Sequence, residues 1–307
     1  MNPSIEQTLE TIQAMRRQEE LGYSVTDYLS HLPTSATALD TPVDASCRFV
    51  MAKWCNEIAD FCNYKRETVA IAMNCLDRFM SMPSGQEILL DRSLYQLATM
   101  TALYSSVKIH EQEAMDPDLV SNLSRGVHSP QAVEAMESKM LTAIRWRVNP
   151  PTAMSFVRLM IDLVPDHLID SCEKETIVDI TRFQIEMTMN EYDFCTFDAS
   201  SVAFACMLNA IESVMDDGMF YANFDTTMGK TILVDDVCVR DLRIAVYELM
   251  NGSDNDVCIQ MKNKTTATGA ATTNMCGASC AEAVATEGKS MCIHSSPRTV
   301  AAFGAQR

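Results

Sequence analysis

The stretch LYQLATMTALYSSV, residues 94–107, carries apolar or small side chains at almost every position. A helix on a protein surface keeps a polar face, so one without such a face is packed on most sides. Residues 94–107 therefore predict a helix with neighbours all around it, and the chain on either side supplies them. In RFVMAKWCNEIADFC, apolar residues at 50, 51, 54, 55, 58, 61 and 62 recur at helical spacing and form one stripe. ETVAIAMNCLDRFM does the same at 69, 72, 73, 76, 79 and 80, and the turn signal SMPSGQE follows it. Downstream, MDPDLVSNL predicts a short helix. Ser129-Pro130 then offers an N-cap and a proline at N1, opening the long amphipathic run QAVEAMESKMLTAIRW. Asn149-Pro150-Pro151-Thr152 is expected to end that run, because a residue before proline avoids the helical region.

The same order then repeats. TAMSFVRLMIDLV and ETIVDITRFQIEMTM are amphipathic, and DASSVAFACMLNAIESV (198–214) is again small and apolar nearly throughout, with Asp198 as candidate N-cap. DDVCVRDLRIAVYELM closes the series, with Gly252 as stop signal. The expected architecture is all-α: two successive five-helix bundles, over 45–150 and 151–250. A helix from Ile5 to about Leu21, with MRRQEE on its exposed side, and a Pro/Thr/Ser-rich loop occupy 1–44. From 251 to 307 the chain is small and polar with no apolar stripe. Burial there hardly offsets the entropy of ordering, so a disordered tail is expected.

Composition narrows the function. Of 307 residues 47% are hydrophobic, enough for a real core, and 22 methionines against 10 glycines and 10 prolines favour helices over turn-rich sheets. A formal charge of −17 argues against a nucleic-acid ligand and is compatible with a protein partner bearing basic surfaces. The 12 cysteines include no CxxC pair, and several lie in apolar helical patterns; a reducing compartment, nucleus or cytoplasm or both, is expected. No signal peptide and no membrane span are expected.

Three charges interrupt the apolar stripes. Asp77 stands on the inward side of its helix, Glu137 lies between Val133 and Leu141, and Lys108 ends the nearly all-round apolar helix. Withdrawn from water, each needs a partner; alternatively each is a solvated helix edge. Arg48 is placed to answer Asp77 within the chain. Lys108 and Glu137 have no evident internal partner other than each other, and both are expected to face solvent.

These residues, taken together, resemble the cyclin box. Arg48 to Trp54 with Glu57 is similar to the MRAIL-like helix start, and Leu76-Asp77-Arg78-Phe79 to the L/I-D-R-F helix. Leu97, Lys108 and Met136-Glu137 follow in the family's order, and Phe197 to Ala203 resembles its F-x-P-S-x-I-A segment. The resemblance implies two cyclin folds and a regulatory subunit, itself no enzyme, that binds and activates the catalytic subunit of a cyclin-dependent protein kinase in cell-cycle control. It implies that Arg48 and Asp77 form an internal salt bridge, that Leu97 is a core leucine, and that Lys108 and Glu137 contact the kinase. Cys47, Val50, Met51, Trp54, Glu57 and Gln96 match the groove through which some cyclins dock substrates with RxL-type motifs. Here MRAIL is Cys-Arg-Phe-Val-Met, and Lys53 replaces the acid before the tryptophan, so Trp54 is either a docking residue or a core anchor. His110 stands where the family has an acid.

Other classes have less to stand on. No phosphate-binding glycine loop and no kinase, hydrolase or HExxH motif occurs, and no cofactor or metal is expected. Cys258, Cys276, Cys280 and Cys292 with His294 have a spacing weak for zinc. A transcription-associated protein with a cyclin-like fold and a kinase-independent helical scaffold remain as alternatives. Thr41 and Ser296, each followed by proline, are the phosphorylation candidates, whereas Ser129-Pro130 reads as a helix start.

Overall fold

A computed structural model describes residues 5–30, 42–165, 168–215, 224 and 236–252. Its helices are α1 (Ile5–Gly22), α2 (Ala45–Cys62), α3 (Arg66–Met80), α4 (Pro83–Gln86), α5 (Arg92–His110), α6 (Pro117–Leu123) and α7 (Pro130–Ala143). After these come α8 (Ala153–Asp162), α9 (Ser171–Asn190), α10 (Ala199–Val214) and α11 (Asp236–Met250). Short 3₁₀ turns follow α4 and α9.

Two helices organise two cores. In α5, Asp91 caps the first turn by accepting from the Ser93 and Leu94 amides, and every residue from Tyr95 to Val107 is buried. It packs against α2, α3, α6 and α7. Buried hydroxyls on such a helix need acceptors. Those of Thr99 and Thr101 donate to the carbonyls one turn back, on Tyr95 and Leu97. The second centre is α10, buried from Ser200 to Leu208 among α8, α9 and α11. The apolar side chains fall into two clusters accordingly, one around α5 and one around α10. All six apolar positions predicted for α3 are buried. Ser129 caps α7 through the Ala132 amide with Pro130 at N1, and Gly252 takes a left-handed φ of 58° just past α11.

Four local expectations need correction. The buried side of α2 runs through Arg48, Met51, Ala52, Cys55, Ile58 and Ala59, and leaves Val50 and Phe61 exposed. Counting only large apolar residues missed two alanines and a paired arginine. The run ending α7 stops at Ala143, well before the prolines, because Arg145 and Trp146 adopt left-handed φ of 56° and 57°. The Trp146 amide closes the end on the Leu141 carbonyl at 2.8 Å. Nor does MRRQEE lie wholly in solvent, since Glu19 is buried and Arg16 largely so. Finally, Asp198 sits at the N-cap of α10 without making a cap bond. Its carboxylate is held by Arg16 at 2.8 Å, and Glu19 takes the capping role by accepting from the Ser200 amide at 3.0 Å.

The N-terminal segment belongs to both cores. Ile12 packs in the second cluster, whereas Tyr28 belongs to the first with Val25 and Leu29 against it. Gly85 shows how closely the first bundle is assembled: a Cβ there would lie 2.0 Å from the Phe79 carbonyl oxygen at the end of α3. Gly85→Ala is expected to cost about 1–3 kcal/mol by overpacking. In a domain of this size that is roughly 2–4 °C of thermal midpoint per kcal/mol. A variant melting with the parent would show that the α3–α4 turn gives way freely.

Candidate functional site

The buried charges come first because they fix the frame. Arg48, in the first turn of α2, meets Asp77 of α3 through two hydrogen bonds, Nε to Oδ1 at 3.0 Å and Nη2 to Oδ2 at 2.8 Å. The two side chains are 3% and 4% exposed. The Tyr28 hydroxyl donates to the same Oδ1 at 2.8 Å. Arg48 Nη1 reaches on to the carbonyls of Met189 and Asn190, at 2.9 and 3.1 Å. Those carbonyls close the last turn of α9 and lack partners within the helix. Arg48 thus links α2, α3 and the end of α9, so it joins the bundles as well as two neighbouring helices. Leu97 is buried in the first core.

Lys108 and Glu137 come together on the surface of the first bundle. Lys108 Nζ lies 3.3 Å from each Glu137 carboxylate oxygen, and the Ser105 hydroxyl donates to Oε1 at 3.1 Å. The Lys108 side chain is 50% exposed and that of Glu137 only 14%. The expectation that both face solvent therefore holds for the lysine and needs correction for the glutamate, which Ser105 and Lys108 partly cover. Partial burial works against the Lys108 charge, but the hydrogen bond and charge of Glu137 outweigh it, leaving the ammonium with a raised pKa. Lys108 also lies over the Tyr104 ring, 5.3 Å from its centroid.

The end of α5 that carries Lys108 is pinned from two sides. Glu111 accepts from the Lys65 amide at 2.9 Å and from the Thr68 hydroxyl, filling the N-terminus of α3 where Lys65 supplies no side-chain cap. His110 Nε2 lies 3.1 Å from the Val148 carbonyl, joining α5 to the segment that leaves α7. Next to these anchors along the chain, Ile109 is 47% exposed and Trp146 is 68% exposed. The sequence signal of that exposure lay in the charged neighbours, Lys108 and His110 for one and Arg145 and Arg147 for the other. Chemically these residues offer an ammonium, a largely covered carboxylate and two exposed apolar side chains, groups suited to contact with protein.

The six groove candidates are divided. Met51 and Trp54 belong to the first core, each 6% exposed. Gln96 is buried, its side-chain oxygen 3.2 Å from His128 Nε2. Val50 is exposed, with Cys47 and Glu57 half-buried along the same helix. Thr41, Ser296, the four tail cysteines and His294 lie outside the described residues.

A concavity of about 320 Å³ opens between α3, α8 and α9. Its arginines are engaged: Arg66 by Asp60, Arg158 by Glu67 and Arg182 by Asp179. Among the described residues no group of three or more His, Cys, Asp or Glu is placed to hold a metal, and no helix is long and apolar enough to cross a membrane.

The chain matches the family described as "Cyclin, N-terminal domain" over residues 10–149 and "Cyclin, C-terminal domain" over 151–274. It belongs to the cyclin family. The second match runs past Met250, into the stretch expected to be a tail. Among its relatives, Cyclin-D4-2 of Arabidopsis thaliana is 26% identical over 71% of this chain and 70% of its own length. G2/mitotic-specific cyclin-B of Hydra viridissima is 24% identical over 57% of this chain and 42% of the relative. G1/S-specific cyclin-E1 of Rattus norvegicus is 27% identical over 39% and 28%. The chain thus spans less than half of the last two. A viral cyclin from herpesvirus saimiri shares the fold, with a TM-score of 0.55 at 14% identity, covering 78% of this chain and 97% of that one.

Proposed function

We propose that this cyclin is a non-catalytic regulatory subunit that binds and activates a cyclin-dependent serine/threonine kinase through the Lys108–Glu137 face, in the nucleus or cytoplasm. The observation that carries the reading is a pair of opposite charges at 3.3 Å with a half-exposed lysine, in a region where Ile109, next along α5, and Trp146, just after α7, are also exposed. Lys108 brings three donors and Glu137 two acceptor oxygens, suited to main-chain carbonyls and amides of a partner. On docking they exchange one long ion pair for charge-assisted bonds out of water. The cyclin supplies contacts that favour one of the kinase's two states and contributes no reacting group.

The test is to mix the purified chain with each of a panel of monomeric cyclin-dependent kinases and follow histone phosphorylation. Activity is expected to rise with at least one kinase, and Trp146→Ala is expected to weaken that pairing at least tenfold, as for an aromatic hot spot of about 2 kcal/mol. No rise with any kinase would favour the second reading, a kinase-independent scaffold. In favour of that reading stands the fact that Lys108 and Glu137 already have each other as partners.

A further inference from the structure

Glu19 lies on α1, yet its side chain is only 4% exposed. Around it one guanidinium serves several carboxylates. Arg16 Nη1 is 3.3 Å from Glu19 Oε2 and 2.8 Å from Asp198 Oδ2, and it donates to the Ser200 hydroxyl at 3.0 Å. Arg16 Nη2 is 3.4 Å from Glu20 Oε1. Glu20 and Asp198 reach water, being 59% and 36% exposed; Glu19 does not. A carboxylate so placed either bears its charge out of water beside another carboxylate or takes up a proton. The geometry admits both forms, because the bond from the Ser200 amide to Oε1, at 3.0 Å, needs only an acceptor oxygen, which a neutral carboxyl retains.

We propose that the Arg16–Glu19–Asp198–Ser200 junction is a proton-sensitive clasp that closes α1 onto the C-terminal bundle. The clasp matters to the whole molecule because α1 packs Ile12 into the second core while the residues directly after it, Val25 to Leu29, pack on the first. The groups around Glu19 are Arg16 and Glu20 from α1, Tyr23 just after that helix, and Asp198 and Ser200 from the start of α10. Cys195, ahead of α10, and Asn74 of α3 border the same small cavity of about 60 Å³. Burial raises the Glu19 carboxyl to about 7, with Asp198 adding to it, against the opposing effects of the Ser200 bonds and Arg16. A raised carboxyl pKa means that the docked helix holds the proton more tightly than a released one. Closure is therefore strongest at the acid end and weakens as pH rises from the ordinary carboxylate value, about 4.3, to about 7. Above that both states are ionised and no more is lost.

Hydrogen exchange of the α1 amides in the full chain tests this. After correction for intrinsic rates, protection is expected to fall about tenfold between pH 6 and pH 8, a range over which a released Glu19 is already ionised and only the docked one loses its proton. Glu19→Gln is expected to make protection independent of pH over that range, and Glu10→Gln, at an exposed position of the same helix, to leave the parent's fall unchanged. Constant protection in the parent, or an undiminished fall in Glu19→Gln, would overturn the clasp. Should Glu19→Gln fail to fold, the ¹³C carboxyl titration of Glu19 in the parent decides. A midpoint near neutrality supports the proposal, and one in the ordinary carboxylate range refutes it.

Discussion

Replacing Lys108 and Glu137 together by alanine is expected to abolish binding and activation of a cyclin-dependent kinase, while helical content and thermal midpoint stay close to the parent's. The double change is the informative one. Lys108→Ala alone would leave the Glu137 carboxylate, 14% exposed, with the Ser105 hydroxyl as its remaining neighbour from that cluster, and an uncompensated charge is costly. Removing both charges strands neither. What the free chain loses is one ion pair with a half-exposed lysine and a largely covered glutamate, together with the Ser105 bond, against about 0–1 kcal/mol for a fully exposed pair. The complex loses more, because a desolvated charge-assisted contact usually costs about 2–5 kcal/mol when removed, roughly thirty- to several-thousand-fold in affinity. Titration calorimetry with the kinase and a melting curve on the same preparation separate the two quantities. If the double variant binds and activates like the parent, the face has been misassigned. Unfolding would mean that the pair serves the bundle, and the scaffold reading would gain.

What could be read from the chain, and what could not, follows the range of the interactions. Helix existence was legible because spacing at i, i+3 and i+4 is local: α3 and α5 are buried where their residues predict. The Arg48–Asp77 pair was also legible, since an aspartate inside an apolar stripe demands a cation. Its further partners were not. Tyr28 and the carbonyls of Met189 and Asn190 lie far off in the sequence and carry no local mark. The same holds for helix starts. Lys65 has no capping side chain, and Asp198 gives its carboxylate to Arg16; distant carboxylates, Glu111 and Glu19, take their places. Glu67 of α3 likewise accepts from Thr152 and Ser155 at the start of α8, although Thr152 also caps that helix itself. Charged residues that look like solvated edges in sequence are thus the means by which one helix holds the next. Ile109 and Trp146 show the opposite case, large apolar residues that stand in solvent.

Asp77→Ala is expected to be the most damaging single change in the free chain, costing about 3–5 kcal/mol. The mutation removes one carboxylate and strands two partners. The Arg48 guanidinium stays buried, 3% exposed, with the Met189 and Asn190 carbonyls but no counter-charge. The Tyr28 hydroxyl, itself in the core, loses the acceptor it has at 2.8 Å. At roughly 2–4 °C per kcal/mol the midpoint should drop by at least about 6 °C. Asp60→Ala is the control of equal chemistry. Asp60 pairs with Arg66 where the side chains are 57% and 37% exposed, and such a pair is worth about 1 kcal/mol at most. Asp77→Asn should fall between, keeping an acceptor for Tyr28 while removing the charge that answers Arg48. Because Arg48 also holds the end of α9, the loss should reach the second bundle, and exchange protection in the last turn of α9 should fall in Asp77→Ala and not in Asp60→Ala. An Asp77→Ala chain that melts with the parent would mean that water reaches Arg48 readily, and the link between the bundles would have to be sought elsewhere.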